Sequence, residues 1–246
     1  MRWESEPKLG SEKEMEVERY LLLDYDGTLH NTLPIYAPAF RKAYRYLICL
    51  GEVPVREFSD EEIGSWLGYN SREMWLSFQP DLSEERRQEC SALIGREMLC
   101  GIREGQACLY PGALEALRTL CADGIRPVFL SNCKHEYMEA HRIRFGLDRY
   151  FTDFYCCEDY DFRPKTEIFA EILREHPGRW AVVGDRHHDL EVGKMYDLPT
   201  IGCLYGFARP GELAEADLLC EDVRDLPAFV REIFAPSSCI SGPSDV

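Results

Sequence analysis

Two aspartates stand one residue apart in YLLLDYDGTLHNT (Tyr20–Thr32), directly after an apolar run. Alternation along an extended chain puts Asp24 and Asp26 on one side. Like charges repel there, so a purely structural role explains them poorly. Complementary chemistry explains them better: one carboxylate stays ionised as a nucleophile or metal ligand while the other holds a proton for delivery. Gly27 permits a tight turn that brings backbone N–H groups near a ligand. Thr28 can hydrogen-bond within that loop. Taken alone, the stretch would also serve as a loop with capping aspartates.

A second acid pair, Asp185 and Asp189, lies in VVGDRHHDLEVG. Asp185 again ends an apolar run, and Asp189 comes about one helical turn later. Four acids aimed at one edge call for a cation, and Mg²⁺, a hard ion with oxygen ligands, answers that need. Asp189 can cap the adjoining helix and serve the metal together. Ser131 and Asn132 end PVFLSN and could donate to anionic oxygens, though Ser-Asn after a strand is also common turn chemistry. Lys165 comes after Arg163-Pro164 and opens a helical pattern. A cation at a helix start opposes the helix dipole, and a bound phosphate would offset that; the plain alternative is a solvated lysine. His187-His188 invites a zinc reading, but HExxH, CxxC and helical His spacing are all absent. The phosphate-loop patterns GxxxxGK[ST] and GxGxxG are absent too.

These side chains need elements to hold them. Strand candidates are Tyr20–Leu23, Val128–Leu130, Trp180–Val183 and Thr200–Leu204. ALEALRTLCADG reads as a helix stopped by Gly124, and TEIFAEILREHPG as a helix with Ile168, Phe169, Ile172 and Leu173 on one face. Strands alternating with helices predict a parallel α/β sheet. Ligands bind beyond the carboxyl ends of such strands, so Asp24, Ser131-Asn132 and Asp185 should converge. Residues 34–108 break the alternation with helical patterns only, and Ser59 with Glu62 forms a capping box there. The sequence therefore predicts a core over 18–33 and 109–236, a helical insert over 34–108, and disordered tails at 1–17 and 237–246.

Composition sets outer bounds. The 246 residues are 45% hydrophobic and 29% charged, and 28 basic against 44 acidic residues give a formal net charge of −16. That balance excludes nucleic acid and anionic membrane as main partners, while a metal can still reverse the local field for a small anion. No apolar run approaches the ~20 residues of a membrane span. The polar, acidic start is wrong for a signal peptide, and the 11 cysteines form no framework. Reduced thiols, a cytoplasmic location and a monomer or weak dimer are expected.

Taken in order, DYDGT, the strand-ending Ser131, Lys165 and GDRHHD resemble the four motifs of the haloacid dehalogenase-like superfamily. The resemblance runs from Tyr20 to Phe234. The insert is similar to the helical cap of the phosphoglycolate phosphatase and β-phosphoglucomutase branch, and LYPGALEALRTL resembles phosphoglycolate phosphatases in particular. The resemblance implies a Rossmann-like core with an inserted cap, and an Mg²⁺-dependent phosphatase acting on a small phosphorylated metabolite. It implies Asp24 as nucleophile forming an aspartyl-phosphate, and Asp26 as general acid/base that also meets the metal. Ser131 and Lys165 would hold the phosphoryl group with Asn132 and Gly27, and Asp185 and Asp189 would complete the metal site. WLGYNSREMW lies where this branch places its specificity loop: Arg72 could contact a carboxylate or second phosphate of the substrate, with Trp66, Tyr69 or Trp75 as pocket wall, and the plain alternative is core aromatics with a solvated Arg72. Phosphoglycolate is the first candidate substrate and a sugar phosphate the second. Dehalogenases of the superfamily lack the second aspartate, and Lys42, the only lysine of the insert, does not match the phosphonatase position. A phosphosugar mutase and a catalytically silent binding protein are the remaining alternatives.

Overall fold

A computed structural model describes residues 17–235; the expected tails at 1–17 and 237–246, Val17 apart, lie outside the described residues. Strand β1 (Arg19–Leu23) is short, apolar and buried on both faces, as a central parallel strand must be. The main sheet adds β4 (Ile125–Ser131), β5 (Asp153–Cys156), β6 (Arg179–Gly184), β7 (Thr200–Cys203) and β8 (Leu218–Cys220). Their order is β5-β4-β1-β6-β7-β8, parallel throughout. The register sets Leu22 of β1 beside Val128 and Val182.

Alternation sorts side chains between two layers. Leu21, Leu23, Phe129 and Val183 face a cluster completed by Leu117 of α5 (Ala113–Ala122) and Val230 of α9 (Leu226–Phe234). Tyr20, Leu22, Val128 and Val182 face Ile168 and Phe169 of α7 (Lys165–Glu175) and Val192 of α8 (His187–Tyr196). Gly124 comes after α5 at φ 74°, the left-handed helix stop its position predicts. The expected α/β core is thus present. Strands β5 and β8 and helix α6 (His135–Phe145) are elements that the sequence patterns did not announce.

The insert forms α1 (Leu33–Cys49), α2 (Asp60–Gly64), α3 (Ser71–Phe78) and α4 (Glu84–Arg103) around Phe40, Tyr44, Leu47, Ile63 and Trp75. The Ser59–Glu62 capping box opens α2, and Asn70 with Glu73 makes a second at α3. The two chain crossings are tied together as an antiparallel ribbon, β2 (His30–Asn31) against β3 (Cys108–Leu109). Beside it Ile35, Ile102 and Ala107 pack on Tyr137 of α6, so the root of the insert rests on the core. The ten described cysteines are all free; five are buried, and Cys49, Cys100 and Cys108 are exposed. Among the described residues no helix is long and apolar enough to cross a membrane.

Phe129 is fully buried against the rings of Tyr25, Phe151 and Phe154, with centroids 5.1 to 5.7 Å away. Phe129→Ala should cost about 3–5 kcal/mol, read as a lowered urea midpoint at unchanged slope.

Candidate active site

Strands β4, β1 and β6 are neighbours, so the residues at and just past their carboxyl ends are brought together. Asp24 continues the β1 ladder, its N–H donating to the Val183 carbonyl at 3.0 Å. Asp185 stands just after β6, and Ser131 ends β4. Lys165 is the first residue of α7, and Asp189 lies in the first turn of α8. The Lys165 ammonium donates to Asp24 Oδ1 at 2.5 Å and Asp189 Oδ1 at 2.7 Å. It is therefore neither solvated nor held by the helix start; the two carboxylates hold it. Thr28 Oγ1 donates to Asp24 Oδ2 at 3.2 Å.

The acids are crowded. Oxygens of Asp24, Asp185 and Asp189 lie within 4.8 Å of one another, and all three residues are buried. The Phe207 N–H donates to Asp185 Oδ2 at 2.6 Å, while Asp185 Oδ1 is buried without a partner among the described residues. Burial, then Asp24 and Asp189, push the Asp185 carboxyl well above the carboxylate range. Burial pushes Asp24 up as well, to about 7, although Lys165 pulls it down. Burial would lower the Lys165 ammonium, yet Asp189 and Asp24 outweigh it and hold it above its ordinary value. One ammonium does not balance three buried carboxylates.

Gly27 makes the crowding possible. Its φ is +88°, and a Cβ there would sit 2.0 Å from Asp185 Oδ2. A side chain at that position would occupy the place of the third carboxylate.

Asp26 faces a different environment. Its Oδ1 accepts from His30 Nδ1 at 2.9 Å, Thr32 Oγ1 at 2.7 Å and the Tyr137 hydroxyl at 2.7 Å. Burial raises this carboxyl, but the His30 hydrogen bond and charge, with Thr32, bring it below the usual range. Behind it the rings of His30 and His141 lie 4.4 Å apart, and His141 Nδ1 meets the Tyr25 hydroxyl at 2.8 Å. Burial pushes His141 down to about 3. The side chain of Asp26 keeps 18% exposure, and Asp26 lines the cavity below the insert. Sequence reasoning missed this cradle. His30 and Thr32 lie four and six residues after Asp26 in the same motif, so half of it was within reach.

The cavity holds about 340 Å³ and runs from Asp24, Asp26 and Ser131 to the insert's loop at Trp66–Tyr69 and to α4. Core side chains grip that loop. Arg186, fully buried, donates to the Leu67 carbonyl, binds Glu212 at 2.8 Å and lies over the Tyr69 ring at 4.8 Å. The Asn132 amide donates to the Gly68 carbonyl at 3.0 Å and its oxygen accepts from the Cys157 thiol, so this side chain is committed to the insert. Gly68, at φ +88°, leaves room for Arg186: a Cβ would fall 2.5 Å from its Cγ. Trp66, Tyr69 and Trp75 line the cavity as expected of a pocket wall. Arg72 does not; it is exposed at the start of α3 and borders an outer groove with Glu84 and Arg87. The helix start turns its side chain outward, and Arg96 of α4 lines the cavity instead. Lys42 pairs with Glu97 and is not part of the lining. His187 binds Glu212 at 2.7 Å.

The haloacid dehalogenase-like hydrolase family matches residues 19–197. Pyrophosphatase PpaX of Listeria welshimeri is 26% identical over 218 residues, covering 86% of this chain and 96% of the relative. Phosphoglycolate phosphatase of Photobacterium profundum is 22% identical over 233 residues, covering 89% and 98%. Among solved structures, a predicted phosphatase from Clostridium acetobutylicum superposes with TM-score 0.72 at 20% identity, covering 88% of this chain and all of that one. CbbY from Rhodobacter sphaeroides, in complex with phosphate, gives 0.69 at 22% identity, covering 86% and 96%. With the match spanning most of the described residues, this chain belongs to the haloacid dehalogenase-like hydrolases.

Proposed function

We propose that this hydrolase is an Mg²⁺-dependent phosphatase that cleaves a small phosphate monoester through an aspartyl-phosphate on Asp24. The observation that carries the reading is the buried Asp24–Asp185–Asp189 cluster with one carboxylate oxygen, Asp185 Oδ1, left without a partner. The donor set is all oxygen, which fits a hard divalent cation, and among the described residues no His or Cys joins it. Asp24, Asp185 and Asp189 would hold that ion, with Asp26 contributing through its backbone. Bound there, it would screen the carboxylates and the phosphate oxygens from one another. The relatives named phosphatase and pyrophosphatase support phosphate as the group transferred. A small phosphorylated metabolite is the partner this reading implies, and the cytoplasm the compartment.

The chain's own residues then divide the work. Lys165 holds Asp24 in place and offers its charge to the phosphoryl group. An Asp24 oxygen attacks phosphorus, the bond to the leaving oxygen breaks, and Asp26 delivers a proton to that oxygen. Water then attacks the aspartyl-phosphate, its proton passes to Asp26, and Asp24 and inorganic phosphate are released. Three donors on Asp26 Oδ1 favour its carboxylate, which makes the carboxyl a strong acid toward the leaving oxygen and leaves Oδ2 as the oxygen to pass the proton. Ser131, at the strand end, donates to the phosphoryl oxygens; Gly27 lets the loop approach them.

Three outcomes test this. Asp24→Asn should abolish p-nitrophenyl phosphate turnover in Mg²⁺ while circular dichroism stays native; near-normal turnover refutes the covalent route. Asp185→Asn should raise the apo melting temperature, because it removes an unpaired buried acid, and should remove the stabilisation that Mg²⁺ gives the parent. Tyr137→Phe takes one donor from Asp26 Oδ1. It should lower turnover of an alkyl phosphate about tenfold, at little cost to p-nitrophenyl phosphate, whose leaving oxygen needs no proton. Equal losses on the two esters would assign Tyr137 to structure or to the shared water step instead of to leaving-group protonation.

A further inference from the structure

The cavity continues well past the phosphate end, and its far walls differ in character from that end. Pockets for drug-sized ligands run about 300–1,000 Å³, so about 340 Å³ leaves space for a ring-sized body beyond a phosphate. The walls there are Trp66, Tyr69, Met74, Trp75, Met98 and Leu99. Trp66, Tyr69, Met98 and Leu99 are only half-buried, so apolar surface remains open in the space they enclose.

Fixed positive charge is sparse in that part. Arg72 lies on the outer groove. Arg96 and Lys134 line the cavity but are solvent-exposed, and Glu136 beside them carries the opposite sign. A second phosphate or carboxylate set among the indole and thioether walls would lose its water without a buried cation to replace it. An uncharged ring or branched alkyl body would lose little hydration and would cover the exposed apolar wall.

We infer that the substrate is a phosphate monoester whose alcohol carries an uncharged aromatic or bulky apolar body, rather than a compact metabolite with a second anionic group. This rests on the phosphatase reading of the Asp24 end. The body would lie against Trp66, Met98 and Leu99 while the phosphate meets Asp24.

Two measurements test it. The first compares kcat/KM for 2-phenylethyl phosphate, ethyl phosphate, phosphoglycolate and pyrophosphate in Mg²⁺. The phenylethyl and ethyl esters have leaving oxygens of similar basicity, so their ratio reads recognition rather than chemistry. The phenylethyl ester should exceed each of the others at least tenfold. The second measures binding of the non-hydrolysed 2-phenylethylphosphonate and phosphonoacetate by calorimetry with Mg²⁺, with the same order expected. Trp66→Ala should collapse both ratios to within about twofold; should that variant not fold, Met98→Gln should do the same. Tighter binding of phosphonoacetate, or a preference that survives both variants, overturns the inference. If no ester is hydrolysed, p-nitrophenyl phosphate included, the phosphatase reading fails; the calorimetric ratio then decides the inference by itself.

Discussion

Three carboxylates that cannot escape to water, gathered about one ammonium, are the constraint on which the rest of this structure depends. Asp24, Asp185 and Asp189 are held there by separate elements: the end of β1, the end of β6 and the first turn of α8. None of these elements could relax without moving an apolar layer, because β1 and β6 are buried on both faces. Sheet packing therefore stabilises an arrangement that electrostatics alone would disperse. Lys165, the Phe207 N–H and the Thr28 hydroxyl reduce the repulsion without removing it.

The neighbouring aspartate is treated in the opposite way. Two residues along the same turn, Asp26 is given three donors on one oxygen and sits in front of a buried aromatic and imidazole cluster. Burial acts on both groups, yet Asp24 is raised and Asp26 lowered, because their partners differ in number and sign. Alternation alone gives the two residues one face; the partners give them different acidities.

Much of this was legible in the sequence. The apolar runs ending in Asp24, Ser131 and Asp185 marked the strand ends, and the switch to helical patterning marked the insert. The elements that escaped had weak local signals. Strand β8 is three residues long and half-exposed. Helix α6 carries Tyr137 and His141 inward among many charged residues, so its apolar stripe is thin. The Tyr137–Asp26 bond joins residues 111 apart, a contact fixed by topology and by no local pattern. Arg72 was placed by chain position near the pocket loop, but side-chain direction at a helix start is set by the helix itself. Asn132 was expected as a free donor, and the loop of the insert claims it.

Arg186 belongs to two parts of the molecule at once. Its backbone N–H supports Asp189, its predecessor in the chain is Asp185, and its guanidinium grips the Leu67 carbonyl of the insert. A shift in the turn between those acids is thus a shift in the anchor of the loop that roofs the cavity. Linkage makes the relation mutual. Whatever steadies the acidic turn steadies the roof by the same free energy, and whatever fills the space beneath the roof tightens the turn. Occupancy of the cavity and order at the acidic cluster are joined through Arg186.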